Sequence, residues 1–124
     1  MSNLINDICV WNYVRGNTEY KGDLEYSMLA EELEEYGVSR DLPNTAKELA
    51  DIIFVAVGSL YKLTGANHTK VGEILQLVVD ANQAKGIKKN IDGKVQKGKD
   101  YVNPEDDIAK ILETPPSLFT AEGD

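Results

Sequence analysis

The sequence predicts an all-α fold, a bundle of four to five helices, on three observations. Apolar residues recur at helical spacing in four segments, turn-forming residues separate those segments, and no stretch alternates apolar and polar residues as a half-buried strand does. At 124 residues, with 42% hydrophobic and 27% charged residues, the chain is long enough for one domain with a modest core. That single helical domain is expected over residues 1–113, with a C-terminal tail over 114–124.

The first helix is expected from Asn3 to Val14, where Leu4, Ile5, Ile8 and Trp11 form a stripe and Arg15-Gly16-Asn17 stops it. Asp23 suits the cap of a second helix running to Tyr36, and Gly37 suits a left-handed residue at its end. Pro43, Asn44 and Thr45 open a third helix that reaches Leu63, with Thr64-Gly65 as its stop. Thr69 is the expected cap of a fourth, with Val71, Ile74, Leu75, Val78 and Val79 on its apolar side, continuing to about Lys85. From Gly86 to Asn103 helical periodicity is lost and glycines enter, so this stretch reads as a long loop with a turn at Asp92-Gly93. Loops of that length are uncommon unless they are functional or disordered. A capping Asn103, Pro104 at the first helical position and the acids Glu105 to Asp107 start a short fifth helix ending near Leu112.

Charge narrows the function. A net charge of −8 disfavours nucleic acid as a partner and favours cations. Acids concentrate between Glu25 and Asp51, whereas Lys85, Lys88, Lys89, Lys94, Lys97 and Lys99 form a basic block, as a metal-binding half and a phosphate-binding half of one site would. The single cysteine, Cys9, forms no internal disulfide and reads as a small buried apolar side chain; the single histidine, His68, reads as a surface or capping residue. The longest uncharged apolar stretch, Ile52 to Tyr61, is about half of a membrane span, and no basic region precedes an apolar run at the N-terminus, so no membrane partner and a cytoplasmic location are expected.

The acids fall in a pattern. Leu24, Met28, Glu31 and Glu35 lie at i, i+4, i+7 and i+11 of the second helix, so a stripe that begins apolar continues as carboxylates, with Glu32 about 100° round from Glu31. A second stripe, Leu29, Leu33 and Tyr36, is expected to anchor that helix. In the third helix Glu48 shares a face with Ile52 and Val55, and Asp51 lies about 60° away. Buried carboxylates lose hydration and repel one another, so an inward cluster requires a compensating cation. Hard divalent ions, Mg²⁺ in particular, take such oxygen ligands together with water and substrate phosphates.

Glu31-Glu32-Leu33-Glu34-Glu35, twelve residues, then Glu48-Leu49-Ala50-Asp51 resembles the EExxE…ExxD signature of the all-α nucleotide pyrophosphohydrolases, the MazG-like superfamily. Asn82-Gln83-Ala84-Lys85 is similar to that superfamily's Asn-x-x-Lys segment. The run from Asp92 to Tyr101, with Pro104, resembles the lysine-rich loop of its phage-type and phosphoribosyl-ATP pyrophosphohydrolase-like members. The matches span Glu31 to Pro104. By this resemblance Glu32, Glu35, Glu48 and Asp51 are metal ligands, and Glu31 serves a further metal or the attacking water. Asn82 and Lys85 reach the nucleotide, and Lys94, Lys97 and Tyr101 lie on a loop that closes over phosphate or base. The implied reaction is Mg²⁺-dependent hydrolysis of a nucleoside triphosphate, standard or aberrant, to the monophosphate and pyrophosphate, with Mn²⁺ as a substitute ion and Glu31 or Glu32 as proton acceptor. A homodimer or homotetramer is expected, because one chain supplies about four usable helices.

Three other readings compete. Ala30 to Val38 also resembles half of a Nudix box, but Ala30, Glu32 and Gly22 occupy positions where the box has Arg, an apolar residue and Glu, and the strands of that fold are missing from the pattern. A di-iron carboxylate bundle takes Glu-x-x-His pairs from two helices, and the chain has one histidine. The non-enzymatic reading is an acidic helical module that binds a basic partner.

Overall fold

The computed structural model describes residues 3–85, 89–98 and 100–113. Within them the chain is an all-α helical bundle of α1 (Leu4–Val14), α2 (Gly22–Gly37), α3 (Leu42–Leu63), α4 (His68–Gln83) and α5 (Glu105–Glu113). The expected tail, together with Gly86, Lys88 and Lys99, lies outside the described residues.

Each helix start has a local cause. Asn3 accepts the amide of Asn6 at 3.0 Å to open α1, and Asp41 accepts that of Asn44 at 2.9 Å to open α3. Asn67, not Thr69, caps α4 by accepting from the Lys70 amide at 3.1 Å, and the helix begins at His68. Asp23 is not a cap either: α2 starts after Lys21, whose own amide donates to the side chain of Glu25 at 3.4 Å, and Asp23 sits in the first turn. Gly37 remains helical without a left-handed backbone, whereas Gly65 takes φ 76° and Ala66 follows at φ 62°. These two residues turn α3 into α4, with the Thr64 hydroxyl donating to the Tyr61 carbonyl at 2.8 Å. Asn103 accepts from the Glu105 amide at 2.9 Å ahead of α5, as its sequence predicts. The turn at Asp92-Gly93 is present too, with Gly93 at φ 90° between the isolated antiparallel bridge partners Lys89 and Val95.

The core gathers where α1, α3 and α4 meet. Cys9, Val57, Tyr61, Ala66 and Val71 are buried there, packed by Ile5, Ile8, Leu60 and Leu75. Gly58 permits a close approach of α1, because a methyl group in its place would lie 3.0 Å from the Asn12 amide nitrogen. The stripe of α1 is rotated from the expected one: Cys9 and Asn12 are buried while Leu4 and Trp11 are exposed, Trp11 meeting Phe54 edge-on at 5.0 Å. In α4 only the first half is buried, and Val78 and Val79 reach solvent.

Among the described residues α2 packs on α3 alone, and α5 on α4 alone. Of the expected anchoring stripe of α2 only Leu29 is partly buried, since Leu33 and Tyr36 are exposed; the face turned to α3 joins Leu29 to Glu25, Met28 and Glu32. Among the described residues no single helix is long and apolar enough to cross a membrane, and α3 and α4 meet that measure only as a pair bent by 117°.

Candidate functional site

The face of α2 that meets α3 carries a carboxylate near each end. At one end Glu25 is 2% exposed and fully answered. Its Oε1 accepts from the Ser59 hydroxyl at 2.7 Å and lies 2.8 Å from the Lys62 ammonium, itself buried. Burial alone would push the Glu25 carboxyl up, but the Lys62 and Ser59 hydrogen bonds, the Lys21 amide and the Lys62 charge outweigh it and hold the group below its ordinary range.

At the other end Glu32, Glu48 and Asp51 each direct one carboxylate oxygen into a cluster whose atoms lie within 4.8 Å of one another. Glu48 is 5% exposed, Glu32 and Asp51 are partly buried, and Glu32 Oε2 and Glu48 Oε2 are buried with no hydrogen-bond partner. Local structure positions them. The cap that opens α3 places Asn44 so that its Nδ2 donates to Glu48 Oε1 at 3.4 Å, and one helical turn beyond Lys47 brings Asp51 Oδ2 within 2.9 Å of the lysine ammonium. Lys47 also lies 3.5 Å from Glu48 Oε1, and its pKa is raised by the hydrogen bond to Asp51, by the Asp51 and Glu48 charges and by the weaker Glu48 bond, against a small opposing effect of burial.

Glu31 and Glu35 depart from the expected inward stripe: both side chains are exposed. The rotation has a simple origin, because Glu25 and Glu32 are seven residues apart and together fix which side of α2 turns toward α3. Glu35 still borders the cluster. The charge on Glu32, burial, the charge and hydrogen-bonding contact of Glu48 and the charge on Glu31 all raise its pKa. Glu32, Glu48, Asp51 and, at their border, the exposed Glu35 are thus neighbours. Three of them, Glu32, Glu48 and Asp51, offer the hard oxygen donors and spacing that a divalent cation takes, with Glu35 at the edge.

The residues expected to reach the nucleotide lie elsewhere in the fold. The ammonium groups of Lys85 and Lys97 both lie over the Tyr101 ring, 5.6 and 4.9 Å from its centroid. Asn82 is exposed in the last turn of α4 and donates to the Val78 carbonyl at 2.8 Å; Lys94 is exposed, with its amide on Asp92 Oδ1 at 3.2 Å. Among the described residues no hydrogen bond, ion pair or ring contact joins this group to the acid cluster, and α2 touches neither α4 nor α5.

Sequence reading missed Lys47, Ser59, Lys62 and the burial of Glu25. Two signals were available: Lys47 and Asp51 stand at i, i+4, and Glu25 precedes Glu32 by two helical turns on one face. No protein-family model matches the chain, and comparison with characterised proteins and with solved structures gave no significant match.

Proposed function

We propose that this protein is a Mg²⁺-dependent nucleotide pyrophosphohydrolase of the MazG-like kind, acting on standard or aberrant nucleoside triphosphates. The observation that carries the reading is the pair of buried, unpartnered oxygens, Glu32 Oε2 and Glu48 Oε2, beside Asp51. A buried carboxylate without a partner costs several kcal/mol, roughly, unless a cation answers it.

Glu32, Glu48 and Asp51, with the exposed Glu35 beside them, would hold the ion. When bound, Mg²⁺ neutralises phosphate charge and lowers the pKa of an attacking water. Glu31, exposed and one residue from the cluster, or Glu32 would take the proton of a water as that water's oxygen bonds to the α-phosphorus and the bond from this phosphorus to the α,β-bridging oxygen breaks. The released pyrophosphate is held by Lys85 and Lys97, with Lys94 and Asn82 nearby in sequence and Tyr101 offering a ring for stacking. In one chain the acid and lysine groups are not in contact, so the reading includes a homodimer or homotetramer in which a second copy completes the site. Leu33, Tyr36, Leu49 and Ile53, exposed on α2 and α3, and a groove of about 530 Å³ between α1 and α3 support such association. A cytoplasmic role in cleansing the nucleotide pool is consistent with this chemistry.

The test is a screen of nucleoside di- and triphosphates, dUTP and phosphoribosyl-ATP included, for pyrophosphate or phosphate release with Mg²⁺ and Mn²⁺. Glu35→Gln or Asp51→Asn is expected to abolish release while helical content persists. Absence of release from every nucleotide would sink the enzyme reading. The exposed acids Glu31, Glu34 and Glu35 would then favour the non-catalytic acidic module, in which Glu→Gln changes weaken binding of a basic partner.

A further inference from the structure

We propose that Lys47 is a displaceable internal cation, which competes with a divalent ion for Asp51 and Glu48 and so limits how tightly the protein alone takes up metal. The inference rests on reading the acid cluster as a divalent site. That cluster has an independent sign of a missing partner, since Glu48 is 5% exposed and its Oε2 has no hydrogen bond.

The lysine satisfies only the outer side of the cluster. Its Nζ is 2.9 Å from Asp51 Oδ2 and 3.5 Å from Glu48 Oε1, while the inner oxygens of Glu32 and Glu48 stay unanswered. A permanent counter-ion looks different, and Lys62 provides the comparison: its side chain is 8% exposed and held against a carboxylate that is 2% exposed. The Lys47 side chain is 65% exposed and extends along a helix surface from a flexible stem, so swinging into water costs it little. A cation approaching Asp51 and Glu48 therefore meets a positive charge that repels it and can leave. Uptake of the ion is then favoured when it arrives with a phosphate, which adds oxygen ligands and offers the freed ammonium an anionic partner.

Binding of Mn²⁺ alone to the full chain, followed by isothermal titration calorimetry and by the electron paramagnetic resonance of the free ion, tests the proposal without any turnover. Lys47→Met is expected to tighten Mn²⁺ binding by about 3- to 10-fold, as removal of one nearby positive charge from a doubly charged ion implies. Lys47→Arg, which keeps the charge, is expected to stay close to the wild-type affinity. Unchanged or weaker binding by Lys47→Met, with wild-type protein binding Mn²⁺, overturns the role of Lys47 and leaves the metal cluster standing. If neither wild-type protein nor Lys47→Met takes up Mn²⁺, the cluster reading itself falls and this inference with it.

Discussion

The two ends of the α2–α3 seam bury carboxylates in opposite ways. Going along α2 from Glu25 to Glu32 runs backward along α3 from Lys62 and Ser59 to Asp51 and Glu48, so the helices are antiparallel and partly buried Met28, Leu29, Ile52 and Val55 lie between the ends. Glu25 has an ammonium and a hydroxyl at hydrogen-bonding distance of one oxygen and an amide on the other. Glu32 and Glu48 each keep a buried oxygen without a hydrogen-bond partner, among the other acids of the cluster. The first carboxylate thus has its complete partner set within the chain, whereas two helical turns away the chain leaves buried oxygens that the proposed cation would answer. The lysines sharpen the contrast, since the one that serves structure is buried and the one near the open cluster is exposed.

The strongest way to break that comparison is to remove the partner from the satisfied end. Lys62→Met leaves Glu25 buried opposite an apolar side chain, and loss of one member of a buried pair costs about 3–5 kcal/mol. Urea denaturation should register that loss, and the double variant Glu25→Leu with Lys62→Met should recover most of it, because two apolar side chains need no hydration. A single variant within about 0.5 kcal/mol of wild type, the range of ordinary surface substitutions, would contradict a structural role for the pair.

Helix existence was legible from the sequence because it depends on local signals: the glycine of the α3–α4 corner, Asn103 before α5 and the apolar periods of α3 and α4 each act within a few residues. Which face of a helix turns inward is not local. In α2 the expected apolar stripe contains Leu33, yet Leu33 is exposed and Glu25 is buried, because a partner 37 residues later, Lys62, decides whether Glu25 can be inside. The same limit applies to the candidate site. The spacing of Glu32, Glu48 and Asp51 identified three acids that do meet, whereas the inward placement of Glu31 and Glu35 followed a helical stripe that the Glu25–Lys62 pair rotates away. Lys85, Lys94 and Lys97 were recognisable as a basic block, with Asn82 and Tyr101 added by the resemblance, but their relation to the acids depends on packing that no spacing encodes.

On the proposed reading, the open end is the one that divalent cations stabilise, and the satisfied end is not. At a Mg²⁺ or Mn²⁺ concentration 100 times the dissociation constant, stabilisation of about 2.7 kcal/mol follows from mass action. Lys62→Met should show nearly the same increment, since the two ends share no side-chain contact among the described residues. Glu48→Gln should remove the increment and should also make the protein more stable without divalent ions, by about 1–2 kcal/mol, the cost of an unsatisfied buried group. Thermal unfolding with and without chelator measures both. A Glu48→Gln variant less stable than wild type in chelator would mean that the carboxylate is structurally satisfied after all.

The smallest expected effect is a pair of opposed pH trends. Glu25 has its folded pKa below the ordinary 4.5, since Lys62, Ser59 and the Lys21 amide outweigh burial; its stabilisation is complete above 4.5 and is lost as pH falls through the lower folded value. Glu35 has its folded pKa above 4.5, raised first by Glu32, then by burial and by Glu48 and Glu31, so between that folded value and 4.5 the native chain holds more proton than the unfolded one. Its repulsion is therefore present at neutral pH and relieved as pH falls through this window. In chelator, stability should rise slightly on acidification from neutrality and then decline once Glu25 begins to titrate. Glu35→Gln should abolish the rise and keep the decline. Lys62→Met should do the reverse, because Glu25 then loses the largest of the contacts that lower its pKa and its share of the decline shrinks.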